Sequence, residues 1–283
     1  MKFEVERLAM LAAAKNAARV APSGPHSEVI NGILLESNDD TREVYVTATN
    51  HEVSIQQKVM ASVGESGSML VNARMLVGML TLLSGEFVTF SADKPEVIIV
   101  SGGRCVYSIN CLSAAHYSKP VIPFPEETVT MTGICSLAKR TVFATGKDEN
   151  KLALQCVNIK LRNNAVHATA CDGVRLMMIK DSSGSPEERE FMLPGRSLQM
   201  LASISKDDDV FEVGDIDTSV VFVRGDMIFT IRKLSTGDYL DTNALLKNVK
   251  PIYTAVAEAD KIKEALGIYS GWFRARACEY HVD

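Results

Sequence analysis

Cys171, Asp172 and His167 form the densest group of potentially catalytic side chains in the sequence. A thiol, a carboxylate and an imidazole are the types a cysteine hydrolase combines. The local string Cys171-Asp172-Gly173-Val174-Arg175-Leu176 also reads as a tight Asp-Gly turn between two strands. The remaining histidines, His26, His51, His116 and His281, lie far apart with no metal-ligand spacing. The glycine patterns of a nucleophile elbow, a dinucleotide fold and a phosphate loop do not occur. Asp148-Glu149 and Asp207-Asp208-Asp209 fit solvated turns better than metal ligands. The expectation is a non-catalytic protein with no metal and no cofactor.

The chemistry that the residue types favour is electrostatic. Lys15, Arg19, Arg74, Lys139, Arg140 and Arg196 fall in segments that read as helices, where acidic residues are sparse. A helix face of Lys and Arg attracts phosphates by releasing counterions and reads no base sequence. Cations on exposed helix faces also serve solubility, and the sequence alone leaves both readings open. With 30 Lys and Arg against 35 Asp and Glu, the net charge of −5 excludes a uniformly basic protein. It leaves room for a basic stripe on an acidic body.

The elements that must position these residues emerge from an internal repeat. Residues 47–112 and 169–234 share a pattern at a constant offset of 122. Thr47-Ala48-Thr49-Asn50 falls on Thr169-Ala170-Cys171-Asp172, and Asn72-Ala73-Arg74 on Pro194-Gly195-Arg196. Val106-Tyr107-Ser108-Ile109 falls on Ile228-Phe229-Thr230-Ile231. In the first copy, Phe3–Val5 alternates as a strand, and Arg7–Val20, rich in Ala and Leu, predicts a helix. Strands follow at Ile33–Leu35, Val44–Thr47 and Val53–Val59. A second helix is expected over Asn72–Leu83, with Asn72 outside its first turn, then strands at Phe87–Ser91, Val97–Ser101 and Arg104–Cys111. The second copy predicts helices near Ser136–Thr145 and Arg196–Ile204. The fold class is α+β, built from repeated β-α-β-β-β units with helices on the inner face and antiparallel sheets outside.

The domain reading is 1–119, a proline-rich linker at 120–127, 128–249, and the start of a third copy at 250–283. In that third copy Ala259–Leu266 resembles a first helix and Trp272–Tyr280 a first strand. The six cysteines, Cys105, Cys111, Cys135, Cys156, Cys171 and Cys278, form no C-x-x-C pair and read as reduced residues of a cytoplasmic protein. Charges interrupt the apolar N-terminus, which argues against a signal peptide or a membrane span.

The MKFEV start and the segments ATNHEVSI, TVFATGKDE, ACDGVRL, FMLPGRSL and RKLSTGDY, in this order and spacing, resemble the bacterial DNA polymerase III beta subunit, the sliding-clamp family, along essentially the whole chain. The resemblance implies a ring of two three-domain subunits around duplex DNA, conferring processivity on the replicative polymerase. It assigns DNA contact to Lys15, Arg19, Arg74, Lys139, Arg140 and Arg196, independent of base sequence. It implies a pocket for short peptides of the polymerase catalytic subunit and the clamp loader, at Leu154, Cys171, Gly173, Val174, Arg175, Leu176, Leu240 and Leu245. Such an apolar groove with an arginine at its rim suits an aliphatic or aromatic anchor plus a carboxylate. It also implies a homodimer interface at Met79, Leu83, Tyr107 and Ile109, residues that equally fit core positions. Gly24 stands where the family has an arginine, Asn50 where it has an aspartate, and Leu240-Asp241-Thr242 where it has Pro-Asp-Tyr. With the third copy incomplete, ring closure is not expected of these 283 residues, and those beyond about Pro251 are expected to pack on domain two, swap or move. The alternative reading is a diverged or truncated paralogue acting only as a peptide-binding module.

Overall fold

The structure, a computed structural model, describes residues 1–22, 32–94, 96–122, 124–148, 150–181, 187–234, 238–247, 258 and 260–265. The chain divides into a unit spanning 1–239 and a unit spanning 240–283.

The first unit is built from one motif used four times. The first copy is β1 (Lys2–Glu6), α1 (Arg7–Val20), β2 (Gly32–Asn38), β3 (Glu43–Thr49) and β4 (Val53–Glu65). The next is β5 (Gly67–Asn72), α2 (Ala73–Leu82), β6 (Phe87–Lys94), β7 (Val97–Gly102) and β8 (Cys105–Asn110). The third is β9 (Val129–Thr132), α3 (Ile134–Thr141), β10 (Cys156–Arg162), β11 (Ala165–Cys171) and β12 (Leu176–Asp181). The last is β13 (Arg189–Pro194), α4 (Gly195–Ser203), β14 (Val210–Ile216), β15 (Ser219–Arg224) and β16 (Met227–Arg232).

Strand β5 is absent from the sequence reading, and its presence turns each long repeat into two tandem β-α-β-β-β units. β11, β13, β15, β16 and the start of α4 each follow β3, β5, β7, β8 and the start of α2 by 122 residues. The first two elements keep a different spacing: β9 and α3 begin 127 residues after β1 and α1. Three of the five residues are lost between α3 and β10, where α3 has 8 residues against 14 in α1 and is followed by a 3-10 turn at Val142–Ala144, and two in the shorter β10–β11 turn.

All strand pairing is antiparallel, and β4 is the hub. Its first half hydrogen-bonds β3 on one edge and β16 on the other, for example Ile55 between Ala48 and Phe229. Its second half pairs with β1, Val63 opposite Phe3. A continuous sheet therefore runs β8-β7-β6-β1-β4-β16-β15-β14-β9 through both long repeats, with β3, β2 and β5 branching from β4. A second sheet runs β12-β11-β10-β13.

Apolar side chains fill the helix–sheet layer. Phe3 and Phe90 are paired on β1 and β6 and stack at 4.7 Å, and Phe211 meets Phe222 edge-on at 6.2 Å. α1 turns Met10, Leu11, Ala13, Ala14, Ala17 and Val20 inward, and its small alanines suit close approach to β3 and β4. α2 starts on an Asn72 side chain that accepts the Arg74 and Met75 N–H groups, two donors no intrahelical carbonyl can reach.

In the second unit, Thr242–Lys247 is a short helix, with the Asp241 carboxylate accepting the Ala244 N–H, and residues 260–265 are helical. The latter fall inside the expected helix Ala259–Leu266. Gly24, most of the residues past Pro251 and the expected strand Trp272–Tyr280 lie outside the described residues.

Candidate functional site

α1 and α4 lie on one face of the continuous sheet. Gln57 of β4 and Met227 of β16 are cross-strand partners and so share a face. On that face the Asn16 amide of α1 donates to Gln57 Oε1 at 3.0 Å. Arg224 contacts Met227 Sδ and donates to the Ile204 carbonyl at the end of α4. The Asn50 amide, at the tip of the β3–β4 turn, reaches Met200 Sδ of α4 at 3.8 Å. α2 packs on α1 and α3 on α4.

The solvent stripe of α1 is Leu8, Ala12, Lys15 and Arg19, spaced at i, i+4, i+7 and i+11. Arg74 and Arg196 are each the second residue of their helices, α2 and α4, and both are exposed. Lys139 and Arg140 are exposed in the last turn of α3, and a hydrogen bond to the Cys135 thiol and the field of Asp207 raise Lys139 further above its ordinary value. Arg140 is held in an ion pair. Its guanidinium meets both oxygens of Asp181 on β12, at 3.1 and 2.9 Å, so its charge is already matched. Arg7 is likewise engaged, donating to the Leu80 and Gly85 carbonyls around the end of α2.

The second candidate surrounds the β11–β12 turn. Cys171 ends β11, buried, and Leu176 opens β12, half-buried. Leu154 sits half-buried in the 3-10 turn Leu152–Gln155, which packs on β10 and β11. Gly173 adopts φ +92, a backbone conformation open to glycine, and this lets the Asp172 carboxylate fold over the turn. One oxygen accepts the Val174 and Arg175 N–H groups at 2.9 and 2.7 Å. The other accepts Arg175 Nε and Nη2 at 2.9 and 2.7 Å. The Arg175 N–H, the Val174 N–H and the guanidinium, in that order, hold the Asp172 carboxyl down at about 2. Val174 is thrust into solvent, 93% exposed.

One expectation changes here, and one candidate is set aside. The rim arginine is not an open cation, because its fork is bound to Asp172 and its Cζ lies 6.0 Å over the exposed Phe143 ring. Nor can Cys171, Asp172 and His167 act as a hydrolase. His167 and Cys171 are four residues apart on one strand, about 13 Å. The Cys171 sulfur accepts the Gly173 N–H at 3.4 Å, and burial, then Arg162 and Lys180, hold His167 below its ordinary value.

Phe143 and Tyr239 were missed as site residues. Their signals were an aromatic inside TVFATGKDE and one at the end of STGDY. Leu240 and Leu245, both exposed, belong to the second unit, Leu245 on its short helix.

Three of the four expected interface residues are buried within this chain, and Tyr107 is partly open. Met79, Leu83 and Ile109 are buried in the core of the first repeat, Ile109 to 1% exposure, and Tyr107 packs half-buried against that core. A partner could touch the first three only by opening the core. What faces solvent is β8 itself, the edge strand of the sheet, with Cys105, Val106, Ser108 and Asn110 exposed. Val106 was not foreseen.

Of the cysteines, Cys111, Cys135, Cys156 and Cys171 are buried thiols and Cys105 is an exposed one. Cys278 lies outside the described residues. Among the described residues, no His, Cys, Asp and Glu cluster could hold a metal ion, and no helix is long and apolar enough to cross a membrane.

Tandem α+β units on a shared antiparallel sheet, with cation-bearing helices on one face, define the class as a DNA clamp. The sequence profile of the DNA polymerase III beta subunit N-terminal domain matches residues 1–123, and that of its central domain matches 128–241. The chain belongs to the DNA polymerase III beta subunit family. The beta sliding clamp of Bacillus subtilis (strain 168) is 25% identical over 261 residues, covering 87% of this chain and 68% of its own length. That of Synechococcus elongatus is 25% identical over 237 residues, covering 81% of this chain and 63% of its own, so the chain spans less than two thirds of that relative. A sliding clamp from Pseudomonas aeruginosa bound to griselimycin aligns with a TM-score of 0.79 at 19% identity, over 95% of this chain and 73% of that one.

Proposed function

We propose that the chain acts as a sliding clamp, a non-catalytic processivity subunit that holds the replicative polymerase on duplex DNA in the cytoplasm. The observation that carries this reading is the charge of the helices. α1, α2, α3 and α4 contain no Asp or Glu, although 35 of the 283 residues are acidic. Lys15, Arg19, Arg74, Lys139 and Arg196 contact phosphates, with Arg140 contributing less because Asp181 already matches it. Such contacts attract without fixing register, which is the requirement for sliding.

The β11–β12 turn, with Leu154, Cys171, Gly173, Val174, Arg175 and Leu176, is the docking site for short peptides of the polymerase catalytic subunit and the clamp loader. Exposed Val174, Phe143 and Leu152 favour an apolar anchor. Because Asp172 holds Arg175, recognition of a peptide carboxylate contributes less than the anchor. Self-association as a homodimer uses the open edge of β8, in which backbone hydrogen bonding and Val106 replace the core residues named above.

The test is retention on DNA. If subunits joined at the β8 edge close around DNA, the protein should remain on nicked circular duplexes in salt that strips it from linear duplexes of the same length. Equal loss from both would favour a peptide-binding module without a clamp function.

A further inference from the structure

The ladder between β10 and β11 stops early. Its pairs run from Arg162 opposite Ala165 to Asn158 opposite Thr169. The same register would next bring Val157 opposite Ala170 and Cys156 opposite Cys171. Both strands reach those residues, since Cys156 pairs with Pro194 on β13 and Cys171 with Leu176 on β12. Between Cys156 and Cys171 stands the hydroxyl of Tyr239. It donates to the Cys156 carbonyl at 3.4 Å and lies near Cys171.

We propose that Tyr239 is a positioning residue for the peptide site: its hydroxyl replaces the missing rung, holds the ends of β10 and β11 apart, and so sets the opening of the Asp172–Arg175 turn. The proposal rests on the peptide-docking reading given above for that turn. Cys171 is directly joined to Asp172, whose carboxylate organises residues 173–175. Any shift of the Cys171 backbone is therefore carried into Val174 and Arg175. Without the hydroxyl, the Cys156 carbonyl loses its partner, and a buried carbonyl seeks another. The nearest available repair is direct pairing of Cys156 with Cys171. That closure draws the turn toward β10 and the Leu152–Gln155 turn beside it.

Tyr239→Phe removes one oxygen and keeps the ring that fills the space. In the full 283-residue chain, three quantities decide the matter: hydrogen exchange of the Cys171 amide, the amide shifts of Val174 and Arg175, and the affinity for griselimycin as a probe. The expected result is altered Cys171 exchange and moved Val174 and Arg175 shifts. Griselimycin affinity should fall by about two- to tenfold, the scale of one lost hydrogen bond. Association with duplex DNA should be unchanged. Unaltered Cys171 exchange overturns the proposal, and so does altered exchange with unmoved Val174 and Arg175 shifts. If the unsubstituted chain fails to bind griselimycin while a labelled peptide with an apolar anchor and a carboxylate also fails, the docking reading falls. The Val174 and Arg175 shifts then still decide whether Tyr239 positions the turn.

Discussion

Asp172 shows how one side chain can fix the character of a site. Its carboxylate takes two backbone N–H groups and both arms of Arg175, so the turn presents an apolar tip, Val174, in place of a cationic rim. The group is held below its ordinary 3.8, at about 2. A depressed carboxylate supports the fold fully above its unfolded value and loses that contribution as pH falls through the folded one. The Val174 and Arg175 amides should therefore keep their protection at neutral pH and lose it as pH falls from 3.8 toward 2, as followed by NMR. Asp172→Ala should free Arg175 and weaken the binding of a peptide with an apolar anchor at neutral pH, by roughly twofold to tenfold if the turn's order is what that peptide reads. The turn itself was legible in the sequence, because Asp-Gly announces it. The direction of Arg175 was not, because a guanidinium three residues on can reach back or out with equal ease.

Among the elements, helix ends and strand edges give the clearest expectations. Asn72→Ala removes the acceptor for two N–H groups at the start of α2 and should cost about 1 kcal/mol in a urea titration. α4 starts on Pro194, with no side-chain cap, so the equivalent substitution there has nothing to remove. Ile109→Ala should cost about 2–5 kcal/mol through its cavity, whereas Val106→Ser on the exposed side of β8 should change stability by about 0.5 kcal/mol or less. Val106→Ser should instead reduce self-association in sedimentation equilibrium, and the opposite ranking of the two variants would restore Ile109 to the interface.

The 122-residue offset was readable because turns and apolar runs keep step even where identities are few. β5 was not readable, since Met69, Leu70 and Val71 are buried in succession and the segment lacks alternation. The end of β4 was missed for a related reason. Met60-Ala61-Ser62-Val63-Gly64-Glu65 resembles a loop until β1 supplies its hydrogen bonds. The burial of Met79, Leu83 and Ile109 within this chain was not readable, because an apolar pattern shows that one face is buried and does not say whether a core or a partner buries it.

At the scale of the first unit, a net-negative chain places cations and no acids on its four α-helices while keeping its acids on strands, turns and the second unit. β4 joins the two long repeats into one sheet, so α1 and α4 share a face of it. The most direct measurement is the salt dependence of duplex binding for the protein and for its Lys15→Glu/Arg19→Glu variant, on several unrelated sequences. Each lost phosphate contact should flatten the slope of log K against log salt by about 0.9, so the pair should flatten it by roughly 2, equally for every sequence. An unchanged slope, or a loss confined to particular sequences, would contradict a DNA-facing helix layer.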